Sequence, residues 1–221
     1  MEIIELFGVP GSGKTKATLE IYRTFEKSGK KCILLRENEY EKLPVLNRKK
    51  YMYRVFKFKN LRILFKLLFD NLLYRGVEYN NGNIKGRLKI LLRQIMYLEI
   101  YSDIKLKNNY DILISDQGVL QELSGYLLES EKLYPWLDVF LKKIRKMNTG
   151  VKFVYLSRSI DQVKVNISKR NRKTAEMDFF DGSTLNKYLT DYNQILEDIY
   201  VKNSNKRDFI RLNKLLNGGV S

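Results

Sequence analysis

The chain has 221 residues, of which 44% are hydrophobic, and its 41 Lys and Arg against 25 Asp and Glu give a formal charge of +16. This composition fits one α/β domain with a substantial core and excludes a disordered tail or a fibrous repeat. The chain has no histidine and one cysteine, which excludes histidine bases, histidine zinc sites and internal disulfides. No apolar run reaches the roughly 18 residues of a membrane span. The first residues do not resemble a secretory signal, so we expect a cytoplasmic protein.

Short apolar runs that alternate with amphipathic stretches predict strands and helices in turn. The predicted strands cover residues 3–7, 32–35, 111–115, 151–156 and 208–212. The predicted helices cover residues 14–27, 61–73, 87–107, 119–128 and 136–147. Five strands separated by helices are typical of a parallel, doubly wound α/β sheet. With three prolines and no linker-like segment, residues 1–221 are predicted to form one domain with a helical insertion at about 44–108.

The turn after the first strand carries a nucleotide-binding motif, the P-loop, which covers residues 8–15. Its sequence, GVPGSGKT, fits G-x-x-x-x-G-K-[ST], with a strand before it and a helix after it. Backbone N–H groups of such a loop face phosphate oxygens, and the following helix adds its positive N-terminal end. The alternative is a glycine-rich turn without a ligand. The predicted ATP-binding residues are Gly8, Pro10, Gly11, Ser12, Gly13, Lys14 and Thr15, with Lys14 at the β- and γ-phosphates and the Thr15 hydroxyl on Mg²⁺.

A carboxylate follows the third predicted strand. Asp116 comes directly after the apolar run 112–115, and a parallel sheet brings the carboxyl ends of its strands to one edge. Asp116 is therefore predicted to hold Mg²⁺ beside Thr15 or to stabilise the active-site network. The alternative is that Asp116 caps the helix that begins near Val119.

The order of motifs along the chain resembles the thymidylate kinase and deoxyribonucleoside kinase superfamily. The elements that carry the resemblance are the P-loop, Arg36-Glu37 after the second strand, Asp116 after the third, a helix running to Arg170-Asn171-Arg172 after the fourth, and a Tyr-rich helix over 188–200. The resemblance spans nearly the whole chain. It implies a three-layer P-loop fold with strand order 2-3-1-4-5 and a LID at about 157–180. It also implies transfer of the γ-phosphate of Mg·ATP to a nucleoside or nucleotide, with adenine near the LID and the loop after Leu212.

The same resemblance implies roles for individual residues. Arg170 and Arg172 would neutralise charge on the transferred group, and Arg36, Gln117 and Arg158 would contact the acceptor. Glu37 is the predicted general base, since the chain has no histidine, and Asp116 is the rival base. The alternatives are that Glu37 caps a turn or pairs with a lysine, and that the two LID arginines are ordinary surface residues.

Two positions depart from the family pattern. Asn38 stands where the family has proline, and Gln117 stands where it has arginine. These departures bear on the identity of the acceptor, and Gln121-Glu122 is a candidate for a different acceptor-recognition element.

Residues 48–93 form a basic segment, with 13 Lys and Arg against two acidic residues and many interleaved aromatics. Such a segment is typical of nucleic-acid binding, of peripheral membrane contact, or of a solvated basic face or phosphate-substrate pocket. The alternatives to a nucleotide kinase are therefore a sugar or cell-envelope precursor kinase and an ATP-dependent protein that binds nucleic acid or another anionic polymer. The oligomeric state is open at this stage.

Overall fold

The structure of the chain is a computed structural model that describes residues 1–36, 43–56, 65, 84–104, 109–128, 138, 141–142, 144–146, 150–169 and 176–217. The predicted helix over 61–73 lies almost entirely outside these residues, and the predicted helix over 136–147 lies partly outside them. Among the helices that are described, none is both long and apolar enough to cross a membrane.

A parallel sheet of six strands forms the centre of the described part of the chain. Its strands are β1 (Glu2–Phe7), β2 (Cys32–Arg36), β3 (Val45–Asn47), β4 (Ile112–Ser115), β5 (Gly150–Tyr155) and β6 (Phe209–Arg211). They lie in the order β3-β2-β4-β1-β5-β6, with every neighbouring pair parallel. The α/β fold, the five predicted strands and their relative order are therefore confirmed.

The prediction of five strands is wrong by one edge strand, β3. This strand has three residues, all half-buried, and only Val45 and Leu46 are apolar, so the sequence shows no apolar run that marks it. It joins the sheet because Leu34 pairs with Val45, and the Leu34 N–H donates to the Pro44 carbonyl at 3.0 Å. Residues 45–47 therefore belong to the sheet and not to the helical insertion that the sequence analysis began at residue 44.

Helices cover both faces of the sheet. The described helices are α1 (Lys14–Lys27), α2 (Ile84–Ile104), α3 (Val119–Leu127), α4 (Ile160–Lys169), α5 (Gly182–Asn203) and α6 (Leu212–Asn217), with 3₁₀ helices at Arg48–Phe56 and Glu176–Phe179. The predicted positions of α1, α2 and α3 agree with the structure to within a few residues. α5 begins well before Tyr188, because the Asp181 side chain accepts hydrogen bonds from the N–H groups of Ser183 and Thr184 and caps the helix there.

The core consists of two apolar clusters, one on each face of the sheet. Alternate residues of β1 point to opposite faces. Ile3 and Phe7 pack in the cluster that contains α2, α3 and α5, whereas Ile4 and Leu6 pack in the cluster that contains α1. Glu5 shares the face of Ile3 and Phe7, so a carboxylate enters the first cluster.

Candidate active site

The P-loop connects β1 to α1 at the carboxyl edge of the sheet. Gly11 and Gly13 have φ angles of 93° and 94°, a region that residues with a Cβ rarely adopt. Gly11 also lies close to α4, since a Cβ at this position would be 3.0 Å from Val163. The loop therefore has the backbone path and the helix N-terminus that an anion site requires.

Lys14, the first residue of α1, turns back over the P-loop. Its Nζ donates hydrogen bonds to the carbonyl oxygens of Gly8 at 2.6 Å and Val9 at 3.1 Å. The ammonium group thus lies against the loop that is predicted to hold phosphate.

Asp116 lies at the centre of a three-residue cluster beside the P-loop. Its Oδ2 accepts hydrogen bonds from Thr15 Oγ1 at 2.9 Å and from Arg36 Nη2 at 3.0 Å. These residues meet because β4 lies between β1 and β2, and all three chain segments leave the sheet at the same edge. The side chains of Arg36 and Asp116 are only 14% and 18% exposed. Arg36, which was predicted to contact the acceptor, therefore pairs with the predicted magnesium ligand.

The Thr15–Asp116 pair suits Mg²⁺. Both residues offer oxygen atoms, and Mg²⁺ is commonly bound by one or two protein oxygens together with substrate phosphates and water. Within the described ranges, no three His, Cys, Asp or Glu side chains come close enough to form a metal cluster. The magnesium site stays a prediction that the geometry of these two side chains fits.

A cleft of about 780 Å³ lies beside the P-loop, between α1, the segment that follows β5, and α4. Ser12, Lys16, Arg158, Asn166 and Arg211 are among the residues that line it. The cleft also reaches Leu212, near which adenine was predicted to bind. Arg158, which was predicted to contact the acceptor, lines this cleft instead of the region around Gln117.

Several predicted residues fall outside the described part of the chain. They are Glu37, Arg170, Arg172 and most of the basic segment 48–93, and their proposed roles remain predictions.

A second polar cluster lies on the other side of Asp116. Arg48, the first residue of a 3₁₀ helix, donates hydrogen bonds to the Tyr97 hydroxyl of α2 and to the Gln117 side-chain oxygen. Its guanidinium carbon lies 5.9 Å from the centre of the Tyr97 ring. Gln117 was predicted to bind substrate, and the structure adds Arg48 as its direct partner.

A partly buried ion pair completes this cluster. Glu122 of α3 is 9% exposed, and its Oε2 lies 3.5 Å from Arg93 Nη1 of α2. Burial raises the pKa of Glu122, whereas the positive charges of Arg93 and Arg48 act in the opposite direction. Residues 121–122 were singled out in the sequence. Arg93 and Arg48 were missed, because nothing distinguishes them from the other cations of the basic segment.

Glu5 is a second buried carboxylate, and it was not among the candidate residues predicted from the sequence. It is 0% exposed, and it accepts hydrogen bonds from the Tyr101 hydroxyl at 2.7 Å and from the N–H groups of Val119 and Leu120 at 3.0 and 2.6 Å. Glu5 therefore caps the N-terminus of α3. The available signal was an acidic residue in the middle of an otherwise apolar strand.

Gly118 makes room for this carboxylate. A Cβ at this position would lie 2.3 Å from the carboxyl carbon of Glu5, so only glycine fits between β1 and α3. Burial raises the pKa of Glu5 to about 7, although the hydrogen bonds from Tyr101 and from the helix N-terminus favour the ionised form.

The chain resembles known proteins in structure and not in sequence. No protein-family profile matches the chain, and no curated protein sequence matches it. Among solved structures, the chain is similar to deoxyadenosine kinase from M. mycoides with dCMP and dCDP bound, at 16% identity and a TM-score of 0.48, over 97% of this chain and 95% of that chain. It is also similar to the same enzyme with dATP bound, at 19% identity and a TM-score of 0.49, over 96% of this chain and 90% of that chain.

Proposed function

We propose that the chain is a P-loop kinase that transfers the γ-phosphoryl group of Mg·ATP to a hydroxyl group of a nucleoside or a nucleotide-like small molecule. The observation that carries this proposal is that a P-loop, the Thr15–Asp116 pair and a separate buried cluster of charges meet at one edge of the sheet. A nucleotide switch needs only the first two of these parts. The cluster of Arg48, Arg93 and Glu122 supplies a place for a second substrate.

The donor nucleotide is expected to lie across the P-loop. The N–H groups of the loop and the N-terminus of α1 attract its phosphates, and Lys14 neutralises charge that develops on them. The cleft beside the P-loop is large enough for a base and ribose, and it carries the cations Arg158 and Arg211.

The chemistry of the second cluster favours a nucleoside-like acceptor. Glu122 presents a carboxylate acceptor directly beside the guanidinium donors of Arg93. A carboxylate next to a guanidinium complements a ring that carries both N–H donors and N or O acceptors, as nucleobases do. Because Gln117 joins this cluster to Asp116 along the chain, an acceptor bound here lies next to the predicted phosphoryl-transfer site.

The proposed transfer step also uses Glu37, Arg170 and Arg172, which lie outside the described residues. The acceptor hydroxyl oxygen forms a bond to the γ-phosphorus, the bond from that phosphorus to the β–γ bridging oxygen breaks, and the hydroxyl proton passes to Glu37. Thr15 and Asp116 would hold Mg²⁺, which would supply positive charge to offset that of the ATP phosphates. Arg36 keeps Asp116 oriented, and Arg170 and Arg172 would neutralise the transferred group.

The test is an assay of ADP release by the full chain with Mg·ATP and a panel of nucleosides, nucleoside monophosphates and sugars. We expect stimulation by at least one nucleoside or monophosphate, and direct detection of the phosphorylated product. Stimulation by sugars alone would replace this proposal with a sugar or cell-envelope precursor kinase. Slow ATP hydrolysis that no acceptor stimulates, together with nucleic-acid binding that weakens as salt rises, would replace the proposal with an ATP-dependent nucleic-acid binder.

A further inference from the structure

Gln121, in the first turn of α3, connects the entrance of the P-loop to α5. Its side-chain oxygen accepts a hydrogen bond from the Gly8 N–H at 3.0 Å, and its side-chain nitrogen donates to the Tyr192 hydroxyl at 2.8 Å. Gly8 is the first residue of the P-loop, and α5 is the helix that follows the predicted LID. A single amide group therefore links these two elements.

The Gly8 N–H needs a side-chain partner because the sheet ends beside it. The pairing of β4 with β1 stops at Ser115, opposite Glu5, and the chain then turns away. On the β5 side, the Phe7 carbonyl accepts a hydrogen bond from the Leu156 N–H at 2.9 Å. The Phe7 carbonyl and the Gly8 N–H belong to one trans peptide group and point in opposite directions, so the Gly8 N–H faces the side that β4 has left. The Gln121 side-chain oxygen takes the place of the carbonyl oxygen that a longer β4 would have offered to this N–H.

Further hydrogen bonds hold Gln121 in place. Its backbone N–H donates to Glu5 Oε1 at 3.2 Å, and its carbonyl accepts from Ser124 Oγ at 2.8 Å. The Tyr192 hydroxyl lies 3.0 Å from Ser124 Oγ and accepts from the Gln121 amide nitrogen. Because the Gly8 N–H can only donate, it selects the amide orientation in which the Gln121 oxygen faces Gly8. Burial raises the pKa of Tyr192, so its hydroxyl stays protonated.

The P-loop is held from two sides by amide side chains. Asn166 of α4 donates to the Gly11 carbonyl at 2.9 Å, while Gln121 of α3 accepts from Gly8. Lys14 contacts the carbonyl oxygen of the same Gly8 residue. The position of Gly8 therefore affects the position of the Lys14 ammonium as well as the path of the loop.

We propose that Gln121 is a positioning residue for the donor phosphates, which acts by holding Gly8 and is itself oriented by Tyr192. The inference rests on the proposed function, since it requires that ATP binds at the P-loop. It assigns to α3 and α5 an influence on donor affinity that is separate from acceptor binding.

The test compares ATP affinity, measured by titration calorimetry on the full chain, with steady-state kinetics. Gln121→Met keeps the length of the side chain and removes both hydrogen bonds. We expect the Kd and KM for ATP to rise about tenfold, with the KM for the acceptor unchanged within about twofold. Tyr192→Phe alone should raise the Kd for ATP by about threefold. In the Gln121→Met background it should have no effect, because Tyr192 acts on Gly8 only by orienting the Gln121 side chain.

The matched control is Gln194→Met, which changes an exposed glutamine of α5 whose side chain donates to Asp198 of the same helix. It should leave ATP affinity unchanged. A Gln121→Met protein with a lower melting temperature but wild-type ATP affinity would show a purely structural role and overturn the inference. If Gln121→Met does not fold, wild-type ATP affinity in Tyr192→Phe would overturn it instead. A wild-type chain that binds no ATP would contradict the proposed function itself, so the two failures are distinguishable.

Discussion

The proposed donor side of the site consists mainly of backbone groups, whereas the proposed acceptor side consists of side chains. The donor side consists mainly of backbone groups from eight consecutive residues, the P-loop, followed by the N-terminus of α1. The proposed acceptor side consists of charged side chains from three elements, namely Arg48, Arg93 and Glu122. A site made from contiguous backbone can be recognised in a sequence, whereas a site made from distant side chains depends on which of many charges the fold brings together.

The two buried carboxylates show the same contrast on a smaller scale. Glu5 is 0% exposed and is surrounded by neutral donors, the Tyr101 hydroxyl and the N–H groups of α3. Glu122 is paired with Arg93, whose side chain is 32% exposed, so this pair reaches the surface where a ligand can meet it. The contacts of Glu5 therefore place it in the scaffold, whereas the partial exposure of the Glu122–Arg93 pair is consistent with the proposed acceptor site.

Loss of the P-loop lysine should have the largest effect. Lys14→Ala removes the positive charge that stabilises the phosphates during transfer, and we expect turnover to fall by about 10³-fold. The measurement is ADP release under saturating acceptor. Lys30→Ala, at an exposed lysine after α1, is the control and should match the wild type. Wild-type turnover in Lys14→Ala would remove the donor side from the mechanism.

Glu37→Gln tests the predicted general base. The change removes the proton acceptor but no positive charge from the phosphate site, so turnover should fall by about 10²-fold while the Kd for ATP stays nearly constant. Titration calorimetry and product formation measure the two quantities separately. If turnover on the identified acceptor is unchanged, the role of base passes to Asp116.

The acceptor side can be tested without leaving a buried charge unpaired. Arg93→Met/Glu122→Leu removes both members of the ion pair, so stability should change little, because two apolar residues often replace a buried pair without loss. We expect the KM for the acceptor to rise about 30-fold with the KM for ATP unchanged. Arg145→Met, which breaks the ion pair with Asp208 away from the site, is the control. Unchanged acceptor kinetics in the double variant would show that the pair is structural.

The smallest predicted effect is on stability. The pKa of Glu5 is about 7 in the folded chain against an ordinary value of 4.5, so the folded state binds the extra proton between these values. Stability should therefore fall as the pH rises, and between pH 6 and pH 8 Glu5 should account for about 1 kcal/mol of unfolding free energy. Urea unfolding of the wild type and of Glu5→Gln measures this difference in slope. Equal pH dependence in the two proteins would mean that Glu5 is ionised throughout.

Much of the scaffold was predictable from local patterns. The five predicted strands, their helices and the P-loop show as apolar runs, helical periods and a contiguous motif, each of which depends on neighbouring residues. The position of Asp116 followed from the same logic, because a parallel sheet places the residues after its strands at one edge. β3 was missed because Val45 and Leu46 are its only apolar residues, whereas the equally short β6 lies within the longer predicted run 208–212.

The remaining features were decided by the tertiary structure. Arg36 pairs with Asp116, Arg48 with Gln117 and Arg93 with Glu122. The place of Arg36 after the second strand marked it in the sequence but did not reveal its partner, and nothing local distinguishes Arg48 and Arg93 from the other basic residues. Glu5 is tolerated in β1 only because the N-terminus of α3 supplies hydrogen-bond donors and Gly118 leaves space for the carboxylate. The sequence by itself therefore determined the sheet and its phosphate loop, which arise from short-range backbone preferences. The choice of partner for each buried charge came from the fold, because the cost of burying a charge depends on groups that are distant along the chain.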